Sequence, residues 1–280
     1  MVLSIYRYWM FSIFTFYCLT LNAQKLPNIQ PNSLWASADI KVDGKATVWN
    51  NQFQAYNTVT QVFYTLCNDN DNLYLILQAS DAIVIRNKIM KGGVTFVIQK
   101  GSKKTDKNAI SITYPVFEKG AYPKLYLNSK WDNLPSAVPA DKYNDTAMLL
   151  NNHNLAAIAK TIQVSGIADV DTIISIYNNE NIRAFGSFDI KRNYICKISI
   201  SLLHLGLSAQ DTKPFLYHIL LNGGTSKYAP RQVVIAGAIN SDGSRMPQSQ
   251  TDKVNMLLSN LNDTYLTTDF WGKYTLAKRP

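Results

Sequence analysis

The chain has few of the residues from which enzyme and metal sites are usually built. Its 280 residues include three His, three Cys and only two Glu, Glu118 and Glu180. Neither Glu lies in a catalytic motif, and no C-x-x-C, G-x-S-x-G or H-E-x-x-H pattern occurs. A glycosidase pair would have to come from scattered Asp residues, among which no pair stands out. These absences favour a protein that is not an enzyme.

Long hydrophobic runs are also missing, except at the N-terminus. Residues 9–21 form an apolar stretch that follows Arg7 and is short for a membrane span. Ala23 lies where a signal peptidase would cut, so we expect residues 1–23 to be a signal peptide. An uncleaved anchor is the alternative. After cleavage the protein would be soluble and exported, either periplasmic, associated with the cell surface or secreted.

Acidic residues are outnumbered by basic ones. The formal charge is +9, and removal of Arg7 with the signal would leave +8. Such a balance suits nucleic acid, an anionic polymer or an anionic surface. Export argues against nucleic acid. The basic residues are scattered around turns, which favours a solvated rim over one dedicated patch.

Cysteine is scarce in the mature chain, which would keep only Cys67 and Cys196. An oxidising compartment permits a disulfide between them. Both residues also lie in apolar, strand-like context, where a buried free thiol is common. The sequence leaves these two possibilities open.

Short alternations of apolar and polar residues recur along the chain and indicate strands with one buried face. The clearest are at 94–98, 110–114, 162–164 and 194–200, with further apolar runs at 59–66, 73–79, 215–221, 233–238 and 270–276. Ten or so short strands predict an all-β fold, an antiparallel β-sandwich of jelly-roll or immunoglobulin-like type.

Helical character is confined to two stretches, predicted as insertions on the β scaffold. One covers residues 145–160, with Asp145 or Thr146 as its cap, and the other covers 252–261. We therefore expect one domain over residues 39–280, after a lead segment of residues 24–38.

Several motifs follow one another in a distinctive order. The first is Asp43-Gly44 followed by Trp49, and the second is the Asn/Asp run 68–72 leading into the apolar residues 73–75. A strand and corner at 194–207 and a closing strand at 270–276 complete the order. Together they resemble carbohydrate-binding module family 9, in particular exported members from Bacteroidota-type bacteria. Residues 101–160 have no counterpart in this resemblance.

The resemblance implies a β-sandwich that binds a glycan or polysaccharide without catalysis. The chain departs from the family pattern at Val48, where an acidic residue is common, and at Lys197 and Ser201, where Glu and Pro are usual. These departures keep a second interpretation open, in which the sandwich is a structural or protein-interaction domain at the cell envelope without a sugar site.

Aromatic side chains are the first candidates for a sugar site, because the apolar face of a pyranose ring stacks on Trp or Tyr. Trp49 and Trp271 stand in motif positions and are predicted to belong to the core. Trp131 lies in a polar loop that contains Pro, and it is the best predicted platform.

The predicted ligand-binding set gathers around Trp131 in the unmatched middle of the chain. Asn133 would bond sugar hydroxyls from the same loop, and three tyrosines lie near it in sequence, Tyr122, Tyr126 and Tyr143. No cofactor is required by this interpretation.

Two metal or cofactor alternatives follow from other residues. Asp69 and Asp71 could offer oxygens to Ca²⁺, although the Asn/Asp run is more typical of a hairpin turn. Some related sandwiches bind haem through a Met and a His. His153 or His218, paired with Met90, Met148 or Met246, would supply such ligands, but no motif selects a pair. His204 is likewise isolated.

Overall fold

The strands of the protein form two antiparallel sheets. The computed structural model describes residues 25–37, 40, 42, 53–105, 107–118, 120–127, 134, 139, 142–224, 243–253 and 265–280. In this part of the chain the strands are β1 (Ala55–Asn57), β2 (Val62–Asn68), β3 (Asn72–Ala79), β4 (Val94–Gln99), β5 (Ile110–Val116), β6 (Thr161–Ser165), β7 (Ile173–Ser175), β8 (Ile182–Phe188), β9 (Tyr194–Ser201), β10 (Phe215–Leu221) and β11 (Thr268–Tyr274).

One sheet has five strands in the order β1-β2-β3-β9-β8, and the other has six in the order β11-β10-β4-β5-β6-β7. Every pairing between neighbours is antiparallel. The predicted all-β sandwich is confirmed. Residues 233–238, predicted as a strand, lie outside the described residues.

The main core lies between the two sheets and follows the predicted alternation. Inward-facing residues of β4, β9 and β10, such as Phe96, Ile198 and Ile219, are fully or almost fully buried. Because successive side chains of a strand point to opposite faces, one face of each sheet supplies this core. Tyr64 and Tyr217 join the sheets through a hydrogen bond of 2.9 Å between their hydroxyls.

Three helical segments accompany the sheets in the described part of the chain. The first, α1, is a π-helical turn Val84–Ile89 continued by Met90–Gly92, and the sequence did not predict it. The side chain of Asp81 accepts hydrogen bonds from the N–H groups of Ile83 and Val84 at 2.8 and 2.9 Å, which satisfies the start of this segment.

The second helix, α2 (Tyr143–Ile158), lies where the sequence predicted a helix over residues 145–160. It begins two residues earlier, after Lys142, and has no side-chain cap, so the predicted caps are wrong. Asp145 instead lies in the first turn, where a carboxylate is stabilised by the positive end of the helix dipole. Of the helix predicted at 252–261, only 252–253 are described, and they belong to a helical stretch that begins at 248.

The outer face of the five-stranded sheet is covered by the lead segment, which forms a second, smaller core against Cys67, Tyr74 and Ile76. The buried carboxamide of Gln30 bonds the backbone N–H and C=O of Leu66, at 2.7 and 2.9 Å. Leu66 lies outside the part of β2 that pairs with β1. The lead segment is therefore an integral part of this sheet.

Cys67 and Cys196 are free, buried thiols. Cys67 belongs to the outer core and Cys196 to the core between the sheets, so they lie on opposite faces. The strand β3 also separates them, because it pairs with both β2 and β9. The disulfide that the sequence allowed is not formed, for these two reasons.

Both thiols are expected to resist alkylation in the folded protein. Burial raises the pKa of Cys196 to about 12, and burial together with the charge of Asp69 raises the pKa of Cys67 well above its usual range. Since the thiolate is the reactive form, neither thiol should react with a thiol reagent near neutral pH until the chain unfolds. A rapid reaction in the native state, or no free thiol after unfolding without reductant, would contradict this placement.

No helix in the described part of the chain has the length and apolar character needed to cross a membrane. Residues 1–23, with the predicted signal peptide, lie outside that part.

Candidate functional site

A cleft of about 540 Å³ opens beside the edge strand β8 and contains the most exposed aromatic ring described. Tyr177 is 75% exposed, and Phe185 from the outer face of β8 is half-buried near it. The volume falls within the range of about 300–1,000 Å³ that is typical of small-ligand sites. We name this feature the β8 cleft, lined by Tyr177, Phe185, Lys160, Arg183, Ala184 and Gly186 among others.

Asn178 organises the turn that presents the aromatic and cationic groups. Its side-chain Nδ2 donates to the carbonyls of Ser175 and Ile182, at 2.8 and 2.7 Å, which ties the end of β7 to the start of β8. Its backbone carbonyl and its Oδ1 both accept from Nη1 of Arg183. The turn therefore holds Arg183 from one side, and the side chain of Tyr177 projects from the same turn into solvent.

The floor of the cleft is built where β8 meets the core. A Cβ on Gly186 would lie 2.4 Å from the hydroxyl of Tyr194, so only glycine fits here without displacing that buried ring. The hydroxyl of Tyr114 donates to the carbonyl of Ala159 at 3.4 Å and closes the inner side. A rigid, close-packed floor of this kind limits how far the cleft can collapse.

The edge of β8 that does not pair with β9 contributes polar groups to the cleft. Asn152 bonds both backbone groups of Phe188, at 2.7 and 2.9 Å, and Asn178 bonds the carbonyl of Ile182. Because outward-facing groups alternate along an edge strand, Ala184 and Gly186 turn their N–H and C=O groups toward the cleft. Both residues line the cleft, so their backbone groups add donors and acceptors to it.

The charge of the β8 cleft is positive. Lys160 places its ammonium 6.0 Å from the centroid of the Tyr177 ring. Neither Lys160 nor Arg183 forms an ion pair with any residue that the structure describes. Within the described part of the chain, no carboxylate competes with a ligand for either cation.

A second cleft of about 750 Å³ lies at the hairpin tip between β2 and β3, beside the corner after β9. Its described lining is rich in amides and hydroxyls but has no aromatic ring, and includes Asn70, Asp71, Asn181, Ser208 and Gln210. Hydrogen-bonding groups without a stacking platform make it the weaker candidate for a sugar.

The predicted ligand-binding tyrosines do not form one platform. Tyr122 is 43% exposed and lies under the ammonium of Lys91, at 3.5 Å from the ring centroid. Tyr126 is only 5% exposed, and its backbone is held by Asn151 of α2. Tyr143 begins α2 at the other end, 5.5 Å from the guanidinium of Arg192.

The extended chain before α2 explains this separation. Lys124 is bonded to Asn154 and Tyr126 to Asn151, so residues 124–126 run antiparallel to the helix, away from its C-terminal end. Tyr122 therefore lies toward the C-terminal end of α2 and Tyr143 at its N-terminal end. Trp131 and Asn133 lie outside the described residues.

Asp69 serves the hairpin turn. Its Oδ1 accepts from the N–H groups of Asp71 and Asn72, at 2.8 and 2.7 Å, and its Oδ2 accepts from the hydroxyl of Tyr74 at 2.7 Å. Side-chain bonds of this kind are what the turn interpretation predicts. Within the described residues, no group of three or more His, Cys, Asp or Glu is placed to hold a metal ion.

Trp271 and His218 occupy the outer face of the six-stranded sheet. Their rings stack at 4.1 Å between centroids, and Nε2 of His218 lies 2.7 Å from Oδ2 of Asp269. Trp271, predicted as a core residue, is therefore half-buried on a sheet surface. Met90 is buried in the main core, so the structure does not bring it to His218 as a haem ligand pair.

Sequence reasoning missed every residue of the β8 cleft. Strand β8 was not predicted, although its residues Ile182, Ala184 and Phe188 are buried on one face. Gly186 interrupts this alternation with a residue that is normally depleted in strands, which weakens the signal. Tyr177, which follows a short strand, was the remaining residue that could have indicated this site.

No family model and no curated protein matches the chain. Among solved structures, it is similar to a carbohydrate-binding module family 9 from Caldicellulosiruptor kristjanssonii in complex with glucose, at 9% identity. That match covers 89% of this chain and 96% of the other, with a TM-score of 0.36. The complex with cellotriose gives 8% identity, 89% and 95% coverage, and a TM-score of 0.37. Both structures belong to the family that the sequence motifs resemble. At these scores the likeness carries no argument about a ligand.

Proposed function

We propose that the protein binds a carbohydrate in the β8 cleft without catalysing a reaction on it. The observation that carries the proposal is the solvent-exposed ring of Tyr177 at the mouth of a cleft with fixed polar groups. A pyranose stacked on Tyr177 would lie within reach of Arg183, Lys160 and the backbone of Ala184. This combination of one apolar face and several directed hydrogen-bonding groups is what sugar recognition needs.

The composition of the cleft supports a non-catalytic role. Its described lining contains no carboxylate, imidazole or thiol that would act as a base or nucleophile. We also propose that the protein is exported, on the basis of the signal-like residues 1–23, and acts in the periplasm, at the cell surface or outside the cell.

A protein-interaction role is the second interpretation that the sequence left open. The edge strand β8 is where an extended peptide would add to the five-stranded sheet. However, Asn178 and Asn152 already occupy backbone groups at both ends of this strand. Between these ends only Ala184 and Gly186 have outward-facing backbone groups, and both residues are buried, which leaves too short a stretch for strand addition.

Glycan binding is tested by probing a glycan array with the mature wild-type protein and three variants. We expect Tyr177→Ala to weaken the strongest signal about tenfold, equivalent to ~1.4 kcal/mol, because it removes the stacking surface. Tyr122→Ala is the matched control, since it removes another exposed tyrosine outside the cleft.

The third variant, Trp131→Ala, tests the platform predicted from the sequence. Loss of binding in Trp131→Ala or Tyr122→Ala, with Tyr177→Ala unchanged, would place the site in the middle loop and contradict the β8 cleft. No glycan signal from the wild type would contradict sugar binding altogether.

A further inference from the structure

The positive charge of the β8 cleft bears on the class of saccharide that it would bind. Its described lining has two cations, Lys160 and Arg183, and no carboxylate to neutralise them. A neutral glycan needs directed hydrogen bonds but no net charge in its site. Two uncompensated cations beside a stacking ring favour a ligand that brings negative charge.

Arg183 is positioned in advance for such a ligand. Nη1 is engaged by Asn178, which fixes the plane of the guanidinium, and no ion pair to any described residue competes for the rest of the group. A guanidinium held in this way presents its remaining N–H donors in a geometry that suits a carboxylate or sulfate. Little side-chain entropy is then lost when an anion binds.

Lys160 is placed to reach the same ligand. Its ammonium lies 6.0 Å from the centroid of the Tyr177 ring, so an acidic substituent on a stacked sugar comes close to it. The backbone carbonyl of Lys160 accepts from the N–H of Ile176 at 2.9 Å, which fixes the residue next to the turn that carries Tyr177.

The second cleft provides an internal contrast. It contains Asp71 and no cation among its described lining residues, and it also lacks an aromatic ring. An acidic sugar is therefore disfavoured there. If the protein binds acidic sugars more tightly than neutral ones, this preference is not explained by the second cleft.

We propose that the β8 cleft binds an acidic saccharide, one that carries a carboxylate or a sulfate. The sugar ring stacks on Tyr177, and its acid group pairs with Lys160 and Arg183. This inference rests on the proposed function, and it adds the chemical class of the ligand.

The test uses pairs of glycans that differ only in charge. The carboxylate arm compares an oligogalacturonide with its methyl ester, and the sulfate arm compares a sulfated galactan with the desulfated chain. Titration of the mature protein should show binding of the acidic member of at least one pair about tenfold tighter than of its neutral partner. This preference should shrink at high ionic strength, because salt screens the charges.

Variants then assign the preference to the cleft. Lys160→Gln and Arg183→Lys should each reduce binding of the acidic member several-fold and that of the neutral member by a clearly smaller factor, so that the acidic preference shrinks. The second variant keeps the charge but loses the planar fork. Lys213→Gln, at an exposed lysine outside the cleft, is the control and should change neither.

Equal affinity for the acidic and neutral members in both arms would overturn the acidic preference. So would an acidic preference that survives both variants. Either result leaves the proposed function intact if glycans bind and Tyr177→Ala weakens them. Binding of no glycan at all would overturn both proposals.

Discussion

Asn68→Asp is expected to destabilise the protein by about 3–5 kcal/mol, because it places a charge in a fully buried junction of both chain ends. In the wild type, Oδ1 of Asn68 accepts from the N–H of Ala277 at 2.7 Å and from the hydroxyl of Tyr274 at 3.2 Å. Its Nδ2 donates to the carbonyls of Ala277 and Asp69, both at 3.1 Å.

The backbone of Asn68 holds the lead segment at the same place. Its N–H donates to the carbonyl of Leu34 at 3.1 Å, and its carbonyl accepts from Ala36 at 2.8 Å. An aspartate there can keep the acceptor bonds. Its second oxygen, however, would face the carbonyl oxygens that Nδ2 now satisfies, and a buried unpaired charge is costly.

Chemical denaturation followed by circular dichroism measures this effect, provided that Asn70→Asp is measured beside it. Asn70 lies in the exposed part of the same turn, so its variant adds the same charge in solvent. We expect that control to stay within about 0.5 kcal/mol of the wild type. If the free energies of unfolding of the two variants differ by less than about 1 kcal/mol, Asn68 does not join the lead segment to the C-terminal residues.

Alkaline pH is expected to unfold the protein in one step together with ionisation of its buried tyrosines. Burial is the largest cause that raises the pKa of six of them above the ordinary value, namely Tyr64, Tyr74, Tyr114, Tyr194, Tyr217 and Tyr274. Tyr217 is raised further by the neighbouring Tyr64, with which it shares a hydrogen bond.

The direction of this pH effect on stability follows from the protons that the folded and unfolded chains bind. Above about pH 10, the unfolded chain loses these protons while the folded chain keeps them. The free energy of unfolding therefore falls as pH rises, by about 1.4 kcal/mol per pH unit for each such tyrosine, until the folded pKa is passed. Below that range the buried tyrosines add no pH dependence.

Ultraviolet absorbance of tyrosinate and circular dichroism, recorded on the same samples, measure this effect. Part of the absorbance should appear only in the step that abolishes the native circular dichroism signal. Complete ionisation of every tyrosine while the native signal persists would show that these rings are not buried.

The sandwich could be predicted from sequence because its strands bury one face against a common core. Runs such as Val94–Gln99 and Tyr194–Ser201 have an apolar residue at every second position, and each is a strand at the predicted place. The helix α2 gave a weaker signal, because amides dock it. Asn151, Asn152 and Asn154 bond the backbones of Tyr126, Phe188 and Lys124, and such bonds leave no apolar stripe in the sequence.

The candidate site could not be predicted, because its parts are distant in the chain or weak in pattern. Lys160 precedes β6, whereas Tyr177 lies in the turn between β7 and β8, and Arg183 lies near the start of β8. These groups meet only through the pairing of β6 with β7 and the bonds of Asn178. The prediction looked for exposed tyrosines, but exposure is decided by the fold, which covers Tyr126 and leaves Tyr177 open.

Isothermal titration of the mature protein and its Tyr177→Ala variant, with the glycan that gives the strongest array signal, tests the central claim most directly. We predict saturable binding to the wild type at one site and an affinity about tenfold lower in the variant, with unchanged unfolding behaviour. Equal affinity in the two proteins would contradict a saccharide site in the β8 cleft.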